Sequence, residues 1–186
     1  MNWVSGFEGA LGRELDDRSE LEVTRGFELS EVESDYLRQI EGLSPERWSE
    51  LSLDERLEAL RELEHRLADI EGRPPVELRG ECLGAGQCGY FDGREGIMVI
   101  SEGLLQADSP LEAIDTVAHE GRHAFQHYAV AHPEVHDDPF EVAAWRDNFA
   151  NYLTAELYGY EAYRYQPVEA DAWAYGEMIR KVFVDV

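Results

Sequence analysis

His119-Glu120-Gly121-Arg122-His123 sets two imidazoles four residues apart with a carboxylate beside the first. On a helix, residues four apart share a face one turn apart, so both rings can reach one metal ion. Zinc held by three protein ligands lowers the pKa of a bound water to about 7. Glu120, not itself a ligand, then stands where it can take that water's proton, and the hydroxide attacks a polarised carbonyl. Such a pattern arises by chance in roughly three of a hundred shuffled chains of this composition, so its surroundings decide. They favour a central helix: Leu111, Ile114, Val117 and Ala118 precede the motif. A buried histidine pair without a metal or another partner is costly.

Two imidazoles need a third protein ligand. A metzincin would continue with Gly and His where this chain has Gln126 and Ala129. A gluzincin takes a carboxylate from a later helix. Glu169, in Gln166-Pro167-Val168-Glu169-Ala170-Asp171-Ala172-Trp173, is the first candidate, placed in a helical first turn where the dipole favours an anion. Asp171 is expected to support the site by bonding the far nitrogen of a ligand histidine. Asp171, Glu177, Glu156 and Glu141 remain alternative ligands.

Elements able to hold these residues are legible around them. Val32, Tyr36, Leu37, Ile40 and Leu43 form a helical stripe from Ser30. Ser44-Pro45 opens a helical turn. Ser52-Leu53-Asp54-Glu55 is a capping box ahead of Leu57, Leu60, Leu63, Leu67 and Ile70, and Gly72 with Pro74-Pro75 ends that helix. Residues 75–101 change period. Val76-Glu77-Leu78, Gly89-Tyr90-Phe91 and Ile97-Met98-Val99-Ile100 read as strands of a small antiparallel sheet, the last two joined by a turn at 92–96. Ser109-Pro110-Leu111-Glu112 starts a helix to about His132 with a second capping box. Asp138-Pro139 starts one to about Leu153, and Pro167 one toward Val182. The expectation is α+β: a mainly helical single domain with a small sheet beside the central motif helix. Within it, residues 1–72 form an N-terminal helical region and 73–186 the core.

His119 to Gln126, followed by Tyr163-Arg164-Tyr165-Gln166-Pro167-Val168-Glu169-Ala170-Asp171-Ala172, resembles the small gluzincin-type zinc metallopeptidases. The resemblance runs from about Pro75 to Tyr175, and within that group the chain is similar to domains at the C-termini of bacterial polymorphic toxins and phage-related proteins. It implies a zincin-like fold, with zinc on His119, His123 and Glu169 and Glu120 as base. It further implies that Ile97–Ile100 is an edge strand pairing with an extended peptide. A toxin role would bring a cognate inhibitor or immunity protein as partner.

Other residues carry weaker signals. Tyr160, Tyr163 and Tyr165 are candidate donors to a developing oxyanion, or packing aromatics. His127 extends the stripe Asp115, His119, His123 and supports the site or lies half-exposed on the helix. His132 and His136 read as solvent-facing, and Arg122 as a partner for acids. Cys82 and Cys88 suit a small disulfide or two free thiols.

Composition limits partners. Forty acidic against 16 basic residues give a net charge of −24, and Lys181 is the only lysine. Nucleic-acid binding needs clustered Lys and Arg, which are absent. No apolar run approaches the ~20 residues of a membrane span. With 44% hydrophobic residues the chain can still build a core. The N-terminus lacks a signal-peptide pattern, so the expected site of action is cytoplasmic unless the protein is delivered by another route. An acidic field favours a basic peptide or protein substrate. Two rival expectations are a non-enzymatic acidic inhibitor that mimics nucleic acid, and a fold with zinc as a structural staple.

Overall fold

The structure is a computed structural model that describes residues 28–184. The acidic stretch 1–27, with its reading as free of a signal, lies outside the described residues.

Helices α1 (Glu31–Arg38), α2 (Pro45–Glu50) and α3 (Leu53–Glu71) come first. The side chains of Ser30 and Ser52 each close a capping box, with Glu33 and Glu55. Each such cap is worth about 1 kcal/mol. Gly72 ends α3 with φ +68°, a left-handed conformation that a Cβ would disfavour. Leu37, Ile40 and Leu43 of the predicted stripe are buried, whereas Val32 is 78% exposed and belongs to the outer face.

Strands β1 (Glu77–Glu81), β2 (Gly89–Asp92) and β3 (Ile97–Ser101) form one sheet in the order β1-β3-β2. The β2–β3 pair is the predicted hairpin, its turn fixed by Asp92 Oδ1 accepting from the Arg94 and Glu95 amides. The β1–β3 pair is parallel, so the sheet is mixed rather than antiparallel. The seven residues Cys82–Cys88 carry the chain round the sheet end and leave a gap one strand wide between β1 and β2, which β3 fills. Ile97–Ile100 is therefore the central strand. Both its edges are bonded, so the expectation of a peptide-pairing edge strand is corrected. The same topology sets β1 and β2 about 10 Å apart, beyond disulfide reach. Cys82 and Cys88 are free thiols.

After α4 (Glu102–Leu105) comes the long α5 (Leu111–Ala131), then α6 (Pro139–Ala150), α7 (Ala155–Tyr158), α8 (Tyr160–Arg164) and α9 (Pro167–Val184). α5 starts at Pro110 without a side-chain cap. It is buried without interruption from Thr116 to Gln126, including its charged residues, which must find partners inside. Its broadest packing is against α9. Gly176 permits that approach: a Cβ there would stand 2.9 Å from Asp115 Oδ1 and 3.2 Å from the Asp115 carbonyl oxygen. One buried cluster runs from Leu37 through Leu60, Leu67, Met98 and Val117 to Phe183, across both predicted regions. A smaller one joins Phe125, Val142, Trp145 and Val168 under α6.

Helices α7 and α8, which the Tyr-rich sequence did not announce, lie on an excursion between α6 and α9. Gln166 closes its neck: its amide donates to the Leu153 carbonyl and accepts from the Leu153 N–H, both at 2.9 Å. The architecture is mainly helical α+β with a small mixed sheet beside the motif helix. No described helix is long and apolar enough to cross a membrane.

Candidate metal centre

α5 supplies His119, Glu120 and His123, and the first turn of α9 supplies Glu169. The tight α5–α9 contact brings the three donors together. His119 Nε2 and His123 Nε2 are 3.2 Å apart. Glu169 Oε1 stands 3.4 Å from His123 Nε2, and Oε2 stands 3.5 Å from His119 Nε2. A tetrahedral ion with bonds of about 2.0–2.1 Å has ligand–ligand edges of about 3.3–3.4 Å, so the spacing fits. The donor chemistry fits too. Two facing imidazole nitrogens at this distance require a proton or a cation between them. Glu169 Oε2 is buried and makes no hydrogen bond of ordinary geometry. This group could hold a metal ion.

The electrostatics agree. Burial would keep His123 uncharged, yet Glu169, with Glu120 behind it, lifts its pKa from 6.5 to about 9. Burial would also raise Glu169, but the two imidazoles outweigh it and hold the carboxyl well below its usual range. A carboxylate in this position demands positive charge next to it, from a proton or from a metal.

Each donor has a different support. Glu169 Oε1 accepts a 2.5 Å hydrogen bond from the Tyr152 hydroxyl, and Tyr163 reaches the same carboxylate. Burial first, and Glu169 next, push both phenols far above their ordinary range, so they remain donors. His123 Nδ1 meets Gln126 Oε1 at 2.9 Å. Gln126 Nε2 in turn donates to the Val168 carbonyl and to Asp171 Oδ2. His119 Nδ1 is buried without a hydrogen bond, its ring edge-on to Trp173 at 4.9 Å. Glu120 is 1% exposed and acts electrostatically on both His123 and Tyr163.

Behind the donors lies a run of buried charge. Arg122 forks onto Asp171 at 2.8 and 3.1 Å and reaches Glu71 Oε1 at 3.2 Å. The rings of Phe125, Trp145 and Tyr175 surround its guanidinium at 4.6 to 5.4 Å. Arg73 bonds Glu71 and Glu64 at 2.8 and 2.7 Å. The end of α3 thus reaches the back of the metal group.

Placed against the sequence, His119, Glu120, His123, Glu169 and Tyr163 come together. Asp171 lies one residue further back than expected, because Gln126 occupies the histidine nitrogen. Tyr165 is 74% exposed beside Arg164, away from the group, and Tyr160 is exposed with its ring against Tyr163. His127 packs between Phe91 and Phe149, and burial with nearby His123 lowers its pKa to about 4. His136 is not solvent-facing but lies on Trp145 and Phe125 near Glu141. Glu177 pairs with Lys181 on the surface, and Glu141 and Glu156 are apart from the group. Sequence reasoning missed Tyr152 and Gln126. Gln126 had one signal, since it lies three residues past His123 on the motif face. Tyr152 had none, because only the folded neck of the excursion brings it to Glu169.

Comparison with family models, with curated proteins and with solved structures found no match for this chain.

Proposed function

We propose that the protein is a small zinc-dependent peptidase. The observation that carries this reading is the buried His119–His123–Glu169 triad with Glu120 beside it. Zinc bound there would supply a Lewis acid that acidifies water and polarises a carbonyl. The chain's own residues do the rest. Glu120 takes the proton and can return it to the leaving amine. Tyr163 and Tyr152 are donors already at the site and can turn toward a developing oxyanion, in place of the exposed Tyr165. The acidic surface supports basic peptides as substrates through long-range attraction.

One observation favours a second reading, zinc as a structural staple. His119 and His123 are 4% exposed and Glu169 1%. Hydrolysis at so closed a site needs a wall that yields. The excursion at 154–165 borders the triad through Tyr163, with α7 lying on α8 and α8 on α9.

The two readings separate at Glu120. Both predict about one zinc per chain. The catalytic reading further predicts that Glu120→Gln keeps the zinc and lowers turnover of a mixed peptide library about 10²–10⁴-fold. Unchanged turnover in that variant, or folded protein that takes up no zinc, would reject it.

A further inference from the structure

We propose that Gln126 is a positioning residue that fixes His123 as the Nδ1–H tautomer and so aims its Nε2 lone pair at the metal, with Asp171 and Arg122 holding Gln126 in place. The inference rests on the reading that His119, His123 and Glu169 bind a metal ion, and it does not require hydrolysis.

Hydrogen-bond direction fixes the tautomer. An amide has one end that accepts and one that donates. Gln126 Nε2 faces the Val168 carbonyl at 2.9 Å and Asp171 Oδ2 at 2.7 Å. A carbonyl can only accept, and Asp171 already receives two bonds from Arg122, so it accepts as well. The amide cannot be turned round without setting oxygen against two oxygens. Oε1 is therefore the end facing His123 Nδ1 at 2.9 Å, and Nδ1 must carry the proton. The proton then leaves Nε2 free on the side of His119 and Glu169. Gln126 is fully buried, so no water competes for the role.

The relay continues past the motif. Arg122, between the two motif histidines, spends its fork on Asp171 and its remaining arm on Glu71 of α3. The rings of Phe125, Trp145 and Tyr175 pack around the guanidinium. A residue of the N-terminal region thereby reaches His123 through Arg122, Asp171 and Gln126. His119 has no equivalent, since its Nδ1 makes no hydrogen bond. The two histidines are held differently, and His119 serves as an internal control.

The test compares wild type with Gln126→Met and Asp171→Asn. Zinc affinity is read by competition with a chelator, metal-free stability by melting, and the ring N–H protons by nitrogen-edited NMR of zinc-loaded protein. Gln126→Met should bind zinc about 10–100-fold more weakly. Its His123 Nδ1–H resonance should move upfield while that of His119 stays. Asp171→Asn should shift both readouts the same way, and Arg122→Lys less so. Unchanged zinc affinity overturns the proposal whatever the resonances do. A fall in affinity with the His123 resonance in place also overturns it, because lost fold stability would then be the cause. Equal movement of both histidine resonances does the same by marking general loosening of α5. If Gln126→Met fails to fold, Asp171→Asn and Arg122→Lys carry the same comparison. Wild type that binds no zinc would instead remove the metal reading itself.

Discussion

His127 shows how little separates a donor from a packing residue on one helical stripe. It stands one turn past His123, but its ring fills an apolar gap between Phe91 and Phe149. Burial, then His123, lower its pKa from 6.5 to about 4. Between these values the unfolded chain takes a proton that the folded chain refuses. The contribution is therefore present above about pH 6.5 and is lost as pH falls toward 4. In chelator, His127→Phe should lose less stability than wild type between pH 7 and pH 4.5. The difference should be about 1–3 kcal/mol by urea unfolding. Equal losses would refute the assignment. At this scale the sequence was most informative where chemistry is local. The motif histidines and Glu120 declare themselves by spacing, and Glu169 by its first-turn position. The Tyr152–Glu169 and Gln126–Asp171 contacts are products of folding, since they join residues 17 and 45 positions apart.

Most caps and breakers marked their elements, but the capping box expected at Ser109 does not form, and α5 starts at Pro110 without a side-chain cap. Ser30, Ser52, Gly72, Asp138 and Pro167 mark their helix ends as expected. The sheet order was not readable. Whether β1 pairs with β2 or β3 depends on how the 82–88 loop crosses the sheet end, and alternation within a strand is silent on its neighbour. The α5–α9 crossing was equally hidden, yet the site depends on it. Gly176→Ala would push a methyl group toward the Asp115 carboxylate and main-chain carbonyl, and the latter cannot yield without moving α5. Asp115 is one turn before His119, and Gly176 two turns after Glu169. The substitution should cost about 1–3 kcal/mol in melting with chelator present and weaken zinc binding as well. A variant equal to wild type in both would show that the crossing tolerates more space than its distances imply.

Across the whole molecule, the division at residue 72 marks a change of pattern, not of core. Leu60, Leu63 and Leu67 of α3 pack in the same cluster as Val117 and Ile179. The −24 charge says least about the interior, where the balance is different. Four carboxylates are fully buried, Glu64, Glu71, Glu120 and Glu169, against two guanidiniums, Arg73 and Arg122. Asp171, 18% exposed, adds a further carboxylate on Arg122, and burial raises the Glu71 carboxyl, so the interior of the described residues holds more carboxylates than guanidiniums. Under the proposed function, a bound cation and protons are alternative ways to balance that excess. His123, lifted to about 9, accepts one proton at neutral pH when no metal competes. On the proposed metal reading, removing the ion at pH 7 should draw protons from the buffer, about one per chain, onto His123. Calorimetry in buffers of different ionisation enthalpy would count them, and chelation without proton uptake would contradict the balance. The metal-free protein should also favour a more acidic medium than the loaded one. The His123 contribution is whole below about pH 6.5 and disappears as pH rises through about 9. With a metal bound as proposed, a drop in pH would then favour release of the ion and protonation of His123 in its place.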